Sequence, residues 1–278
     1  MRLYHYCSEE TFKSIIKSKK LWLTPVRHMN DSQEIIHTYL GVWKDAKEEA
    51  EKYYNNDEVS EILKLADEQI FGIDKYVDMP YCNCLSCDGD LYSQWTRYAD
   101  DAQGFSIGFK SEILGLKNDL PHPNAYIENS IGVGEVIYSY DKQKKIILDI
   151  IHYIVKTMKM DALAWLTLRT NVKVYSAIFK NQYFLDERER RIIYYAEKDH
   201  NFNDKFVNGP FEYRSRITNE MVERYELNWY HSNDNHAIEK IYVGSKNKFT
   251  NIEIINLLFE NNITIKEENI VRSKIPYR

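Results

Sequence analysis

The sequence has no apolar stretch close to the roughly 20 residues that a membrane-spanning helix requires. Basic residues are not in excess either, and the net charge of −5 gives the chain no general attraction to nucleic acid or to an anionic membrane surface. The first residues, Met-Arg-Leu-Tyr-His-Tyr, do not form the apolar core of a signal peptide. We therefore expect a cytoplasmic protein without a membrane partner.

Cysteine is scarce, and its four positions are Cys7, Cys82, Cys84 and Cys87. The spacing of the last three could suggest zinc, but a closed structural site needs four ligands, usually in two separated pairs. Alternation places Cys82 and Cys84 on one face of a predicted strand, where small core residues are more common than metal ligands. We therefore expect no metal site, although a histidine or Cys7 could complete one.

Motifs that identify common enzyme classes are also missing. There is no Gly-rich phosphate loop, no Ser–His–Asp ordering and no His-Glu-x-x-His sequence. No internal repeat, low-complexity tract or linker divides the chain. The sequence therefore predicts one domain over residues 1–278, and any functional site must be sought in less familiar patterns.

What the sequence does contain is typical of a folded globular protein. Of its 278 residues, 44% are hydrophobic and 14% aromatic, and its 22 tyrosines suit pocket walls and interfaces. Predicted strands and helices interleave irregularly, which favours the α+β class. The predicted strands are 3–7, 21–24, 79–85, 105–109, 132–138, 187–195, 211–216, 223–230, 238–243 and 263–271. The predicted helices are 9–19, capped by Ser8, then 91–99, 141–158, 161–179 and 250–260, with a helical insertion or lid at about 32–71.

Residues 180–195 break the rule that a half-buried strand alternates apolar and polar residues. With period two, Glu187, Glu189 and Arg191 share one face of the predicted strand. Carboxylates fixed close together on a strand can be aimed at a ligand, and local rule-breaking is expected at functional sites. On spacing alone, a solvated strand end with Glu–Arg pairs is the simpler interpretation.

Three blocks of the sequence resemble a bacterial family described as a domain of unknown function. The first block comprises residues 3–8, 15–24 and 30–34, and the second comprises 84–86, 90–100 and 104–109. The third contains Lys180, Phe184 and Glu187-x-Glu189-x-Arg191, with the closing residues 273–278. Two positions depart from the family pattern, which usually has Pro where Ser32 stands and Phe where Leu85 stands. The family label implies no reaction.

The opening strand–helix–strand, with His5-x-x-Ser8 followed by residues 15–21, is similar to the opening of ADP-ribosyltransferases. In that fold a first-strand His or Arg contacts the adenosine ribose of NAD, and an aromatic or small hydroxyl residue on a middle strand lines the nicotinamide site. A late-strand Glu, often within Glu-x-Glu, binds the nicotinamide ribose. The resemblance implies a mixed, split β-sheet core with flanking helices and NAD as the bound nucleotide.

Carried over to this sequence, the resemblance implies catalytic roles for Glu189, Glu187 and His5. The residues that it implies for NAD binding are His5, Ser8, Asn30, Ser86, Trp95, Tyr98 and Arg191. Loss of nicotinamide leaves an oxocarbenium-like centre, and a fixed carboxylate stabilises that charge where it develops. Glu189 takes this role, with Glu187 on the side of the acceptor, and either Ser86 or Tyr98 fills the middle position.

Each of these residues also has a plain structural interpretation. His5 is flanked by two tyrosines on a buried strand, which suits a core histidine. Asn30 suits the cap of the helix that follows it. Trp95 and Tyr98 suit the apolar face of a helix as well as a stacking wall for a planar base. Arg191 could bind phosphate or neutralise Glu189.

Three hypotheses of different classes follow. The first is an NAD-dependent enzyme that transfers ADP-ribose to a protein or nucleic-acid acceptor, or hydrolyses NAD, as a toxin or phage-defence effector. The second is a non-catalytic module that binds a nucleotide or a nucleic-acid end. The third is a nuclease in which Glu187, Glu189 and Asp90 hold Mg²⁺ with Lys180 nearby. The acceptor and the oligomeric state do not follow from the sequence.

Overall fold

A mixed sheet of ten strands forms the centre of the computed structural model, which describes residues 2–26, 37–71, 80–116, 119–121, 130–196, 206–214 and 219–276. The strands are β1 Arg2–Cys7, β2 Lys20–Pro25, β3 Tyr81–Ser86, β4 Phe105–Lys110, β5 Ile131–Glu135, β6 Glu189–Tyr194, β7 Val207–Arg214, β8 Met221–Asn228, β11 Ile238–Val243 and β12 Ile270–Arg272. A separate small hairpin consists of β9 Tyr230–Ser232 and β10 Asn235–His236.

Helices flank this sheet, so the predicted α+β class is confirmed. They are α1 Glu9–Ser18, α2 Lys44–Tyr54, α3 Asp57–Phe71, α4 Tyr92–Tyr98, α5 Tyr140–Thr157, α6 Ala162–Ser176 and α7 Asn251–Glu260. A π-helical segment, His37–Trp43, leads into α2, and 3₁₀ turns lie at Gln182–Glu187 and Glu267–Asn269. None of the helices in the described ranges is both long and apolar enough to cross a bilayer.

The sheet is interrupted beside β3. Strand β6 pairs with β3 along one whole edge, from Tyr81 to Ser86. On the other edge, β1 pairs with β3 only at Ser86, and β2 pairs only at Cys82 and Tyr81. Residues 83–85 therefore face a gap between β1 and β2, which we call the split. The strand order is β12-β11-β4-β1-β3-β2-β8-β7, and of these pairs only β11–β12 is parallel.

Strands β1 and β2, which lie on either side of the split, are joined by α1, and the local sequence explains where this helix begins and ends. Ser8 caps α1 by accepting a hydrogen bond from the Thr11 amide at 3.3 Å, and the acidic first turn suits the helix dipole. The helix buries Phe12, Ile15 and Ile16, each contributing about 1.5–3 kcal/mol. Lys19 ends it in the left-handed conformation, and β2 begins at the next residue.

Two large apolar clusters hold the fold together. One packs the sheet against α1 and α7 and includes Phe12, Phe105, Trp229 and Leu258. The other packs β3 and β6 against α2, α3, α5 and α6. The segment predicted as a helical insertion or lid belongs to this second cluster: described residues 37–71 lie against α5 and α6, and residues 32–36 fall outside the described ranges.

Two predicted strands need correction. The last was predicted over 263–271, but it covers only Ile270–Arg272, because Glu267–Asn269 form a 3₁₀ turn and β12 pairs with β11 over three residues. The strand predicted to include Glu187 begins at Glu189, because Arg188 adopts the left-handed conformation with φ 46° and closes the preceding 3₁₀ turn.

Candidate functional site

A cavity of about 1030 Å³ opens at the split. Its walls come from α1, from β1, β2 and β3 around the split, from α4, from the 3₁₀ turn and from β6 and β7. The size falls at the upper end of the range for small-molecule sites. No described residue of the helical segment 37–71 lines it, so the part of that segment inside the described ranges does not cover the cavity.

Five charged side chains form one connected group in this cavity, which we call the charge cluster. Its members are Arg97, Lys180, Glu187, Glu189 and Arg191. Both carboxylates and Arg191 are at most 4% exposed. The interpretation of this segment as a solvated strand end is therefore wrong, because cations from two other parts of the chain allow the carboxylates to be buried.

Glu187 lies at the junction of three elements. Its Oε2 accepts a hydrogen bond from Lys180 Nζ at 2.6 Å, and its Oε1 accepts bonds from Arg97 at 2.5 Å and from the Tyr98 hydroxyl at 3.3 Å. Burial and the neighbouring Glu187 carboxylate raise the pKa of Tyr98, so its hydroxyl remains a donor at neutral pH. Arg97 is the accessible member of the cluster, with 41% of its side chain exposed.

Glu189 is held as an ionised carboxylate. Arg191 donates to it twice, at 2.8 and 3.0 Å, and Lys180 donates at 3.0 Å. Burial opposes ionisation, but Arg191 and Lys180 outweigh it and lower the pKa of Glu189 to about 2. The Glu189 amide also donates to the Tyr138 hydroxyl at 2.9 Å. Of the two roles predicted for Arg191, phosphate binding and neutralisation of Glu189, the structure shows the second.

His5 lines the cavity from β1 and is partly exposed. Burial lowers the pKa of its imidazole to about 4, although the Cys84 backbone and the Asn83 side chain oppose this shift. Neither His5 Nδ1 nor Asn83 Oδ1, both buried, makes a hydrogen bond of normal geometry with the part of the chain that the structure describes. The imidazole is therefore neutral at physiological pH, and the exposed part of the ring lies away from Nδ1.

The other predicted site residues fall into different places. Tyr98 and Arg191 line the cavity with His5, Glu187 and Glu189. Ser86 is fully buried beside it and donates to the Glu187 carbonyl at 3.0 Å. Ser8 caps α1 and does not line the cavity. Asn30 lies outside the described residues.

Trp95 had two predicted interpretations, the apolar face of a helix and part of a stacking wall, and its burial agrees with the first. It is fully buried, packs against Tyr6 with ring centroids 5.0 Å apart, and donates to Asp90 at 2.7 Å. Asp90 also accepts a bond from the Ser273 hydroxyl at 2.5 Å. Asp90 thus ties the segment after β12 to α4, and it does not line the cavity with the glutamates.

Several cavity residues were not singled out from the sequence. They include Lys20, Trp22, Asn83, Tyr213 and Arg214. Trp22 had a usable signal, since alternation places it opposite the buried Leu21 and Leu23 of the same strand. The others had no such signal, because their proximity depends on how β2, β3, β7 and β8 come together.

None of the four cysteines, which all lie in the described ranges, forms a disulfide bond, and Cys82 and Cys84 of β3 line the cavity. Within the described ranges, no three His, Cys, Asp or Glu side chains come together in a way that could hold a metal ion. The arrangement instead offers cations, a buried ionised carboxylate and aromatic rings around one cavity. Such a site can bind an anionic ligand with planar rings and can stabilise positive charge near Glu189.

A family model described as "Protein of unknown function (DUF2971)" matches residues 94–192. The matched segment contains all five members of the charge cluster. This confirms the predicted resemblance to a family of unknown function over the part of the chain that builds much of the site. No curated protein and no solved structure matches the chain significantly.

Proposed function

We propose that the cavity at the split binds NAD and that the protein cleaves the bond between nicotinamide and ribose. ADP-ribose would then pass to a macromolecular acceptor or to water. The observation that carries this proposal is that His5 of β1 and Glu189 of β6, which are far apart in sequence, line one cavity at a split in the sheet. The resemblance to ADP-ribosyltransferases assigns these two positions to NAD.

The cavity also has side chains that suit a dinucleotide. Aromatic rings that a base or nicotinamide could contact are Trp22, Tyr98, Phe184 and Tyr213. Cations that a pyrophosphate could contact are Lys20, Arg97 and Arg214. Arg97 is the most suitable of the charge cluster, because it is the accessible one and its guanidinium lies 5.6 Å from the Phe184 ring centroid.

The chemistry follows from charge. When the glycosidic C–N bond breaks, its electron pair leaves with neutral nicotinamide and the ribose carbon becomes positive. Glu189 is ionised at neutral pH because its pKa is about 2, and Arg191 and Lys180 fix its orientation. An acceptor hydroxyl, amine or water then forms the new bond to that carbon and releases its proton.

A specific observation favours a second candidate, nucleotide binding without chemistry. Glu189 accepts three hydrogen bonds from two cations, which reduces the negative charge that it offers to a developing cation. In this case the charge cluster only shapes the cavity. The metal-dependent nuclease has no comparable support, because Asp90 is bound to Trp95 and Ser273.

The test is nicotinamide release from NAD by the purified protein. We expect Glu189→Gln to reduce the rate by about 10²–10³, the usual effect of removing one electrostatic stabiliser. Glu189→Asp keeps the charge but shortens the side chain, so it should also lose activity. Because the charge is kept, this variant should be more stable than Glu189→Gln. Glu239→Gln is the matched control, because this glutamate pairs with Arg2 and does not line the cavity.

The outcomes separate the two candidates. Release that both Glu189 variants lose and Glu239→Gln keeps would support the enzyme. No release, together with an NAD-dependent rise in melting temperature, would favour the binding module. Neither release nor stabilisation would refute both. A role as a toxin or phage-defence effector depends on the first outcome and stays a prediction.

A further inference from the structure

Trp22 is an exposed indole at the wall of the cavity. It lies on β2 with 43% of its surface exposed, while its neighbours Leu21 and Leu23 on the opposite face are buried. An exposed tryptophan on a central strand is uncommon, since burial of this side chain normally contributes strongly to stability.

The indole is held in place from one side. The Arg224 guanidinium of β8 lies 3.6 Å from the centre of its ring, and Arg224 is itself bound to Glu226 at 2.9 Å. Tyr213 of β7 lies beside the indole, with ring centroids 5.7 Å apart and an angle of 50° between the planes. Three strands therefore fix one ring while part of its surface stays open.

Trp22 and Tyr213 both line the cavity, and so do the cations Lys20 and Arg214 from the ends of the same strands, β2 and β7. A rigid aromatic ring next to cations suits a ligand that has a planar heterocycle joined to phosphate. Every nucleobase has a π face, and stacking on tryptophan needs no hydrogen-bond pattern.

We propose that Trp22, together with Tyr213, is a stacking site for a base of the nucleotide that occupies the cavity, and that Arg224 positions the indole. This inference rests on the proposed function only in that the cavity holds a nucleotide. It does not require that NAD be cleaved. The base belongs either to a free adenine nucleotide or to the end of a nucleic-acid acceptor, and both present the same chemistry.

The experiment compares ligands with and without a base. Calorimetric titration with ADP, with ribose 5-phosphate and with a short adenine oligonucleotide is made on the wild type, Trp22→Ala and Trp22→Phe. Tyr53→Ala on α2 is the control, because its ring is 73% exposed and does not line the cavity. The melting temperature of each variant checks its fold.

We expect Trp22→Ala to weaken ADP binding about 5- to 140-fold, which corresponds to a base-stacking energy of about 1–3 kcal/mol at about 1.4 kcal/mol per tenfold. Ribose 5-phosphate should bind all variants alike, and Trp22→Phe should retain most of the affinity for ADP. If only the oligonucleotide binds in a Trp22-dependent way, the base is that of the acceptor.

The proposal would be overturned if Trp22→Ala bound both ADP and the oligonucleotide as tightly as the wild type does. It would also be overturned if Trp22→Ala lost affinity for ribose 5-phosphate to the same extent as for ADP. These results are independent of nicotinamide release. ADP binding that needs Trp22 in a protein that releases no nicotinamide would support the stacking site and refute the enzymatic function alone.

Discussion

Replacing Lys180 with methionine should destabilise the protein far more than replacing a lysine in a surface ion pair of the same length. Lys180 Nζ lies 2.6 Å from Glu187, and their side chains are 5% and 2% exposed. Lys13 Nζ also lies 2.6 Å from Glu9, but these side chains are 47% and 48% exposed. The two pairs therefore differ mainly in burial, which makes Lys13→Met a matched control.

The magnitude follows from the charges that remain. Both Glu187 Oε2 and Glu189 Oε2 lie within 3.0 Å of the Lys180 nitrogen. Two such like charges, about 5 Å apart, repel by roughly 3 kcal/mol at an effective dielectric constant of about 20, and Arg97 and Arg191 offset part of this repulsion. Removal of one partner from a buried ion pair typically costs about 3–5 kcal/mol. We expect a loss in this range for Lys180→Met and less than about 1 kcal/mol for Lys13→Met.

The assay is urea-induced unfolding at pH 7.5 and at pH 5. Without Lys180 the pKa of Glu189 rises, so protonation relieves the repulsion and the loss should be smaller at pH 5. Adding Glu187→Gln removes one of the two charges, and the double variant should regain about 1–3 kcal/mol. It should also fold if Lys180→Met alone does not.

Three results would refute this reasoning. They are a loss in Lys180→Met no larger than in Lys13→Met, a loss that is the same at both pH values, and no recovery in the double variant. Any of these would mean that water enters the site and screens the cluster as it screens a surface pair.

Two further predictions concern residues beside the cluster. The pKa of His5 is lowered to about 4, so its neutral form stabilises the fold above pH 6.5 and this contribution is lost as the pH falls from 6.5 to about 4. In His5→Gln the unfolding free energy should fall by about 1–2 kcal/mol less between pH 6.5 and pH 4 than in the wild type, a value that allows for solvent contact of the partly exposed ring. An unchanged pH dependence would contradict this prediction. Trp95→Phe removes a buried indole and its bond to Asp90, and should lower the unfolding free energy by about 2–3 kcal/mol without changing nucleotide affinity, because Trp95 does not line the cavity. A fall in affinity greater than about threefold in a folded variant, by titration calorimetry, would contradict that placement.

The sequence was sufficient for features that depend on near neighbours. Ser8 as a helix cap, the apolar face of α1 and the extent of β1 and β4 follow from capping and periodicity, and the structure confirms them. The unusual charge of residues 187–191 was also visible, and three of them, Glu187, Glu189 and Arg191, line the cavity.

Features that depend on distant contacts were not predictable in this way. The burial of Glu187 requires Arg97 from α4 and Lys180 from the segment after α6, and spacing within one strand contains no information about either. For Trp95 the helical pattern suited both a buried residue and a stacking wall, and the choice between them depends on the contacts with Asp90 and Tyr6. The split itself depends on β1 and β2 sharing one edge of β3.

The charge cluster also limits how this sequence can change during evolution. Its three cations and two carboxylates are bonded to one another, and all of them except Arg97 are buried. A substitution at one of the buried positions therefore leaves a charge without its partner, which a second substitution has to correct. The intermediate between two functional sequences would be several kcal/mol less stable, which is a large part of the stability of an ordinary domain. Lys180, Glu187 and Glu189 should therefore be inherited as a unit, and divergence should concentrate in the cavity wall around them.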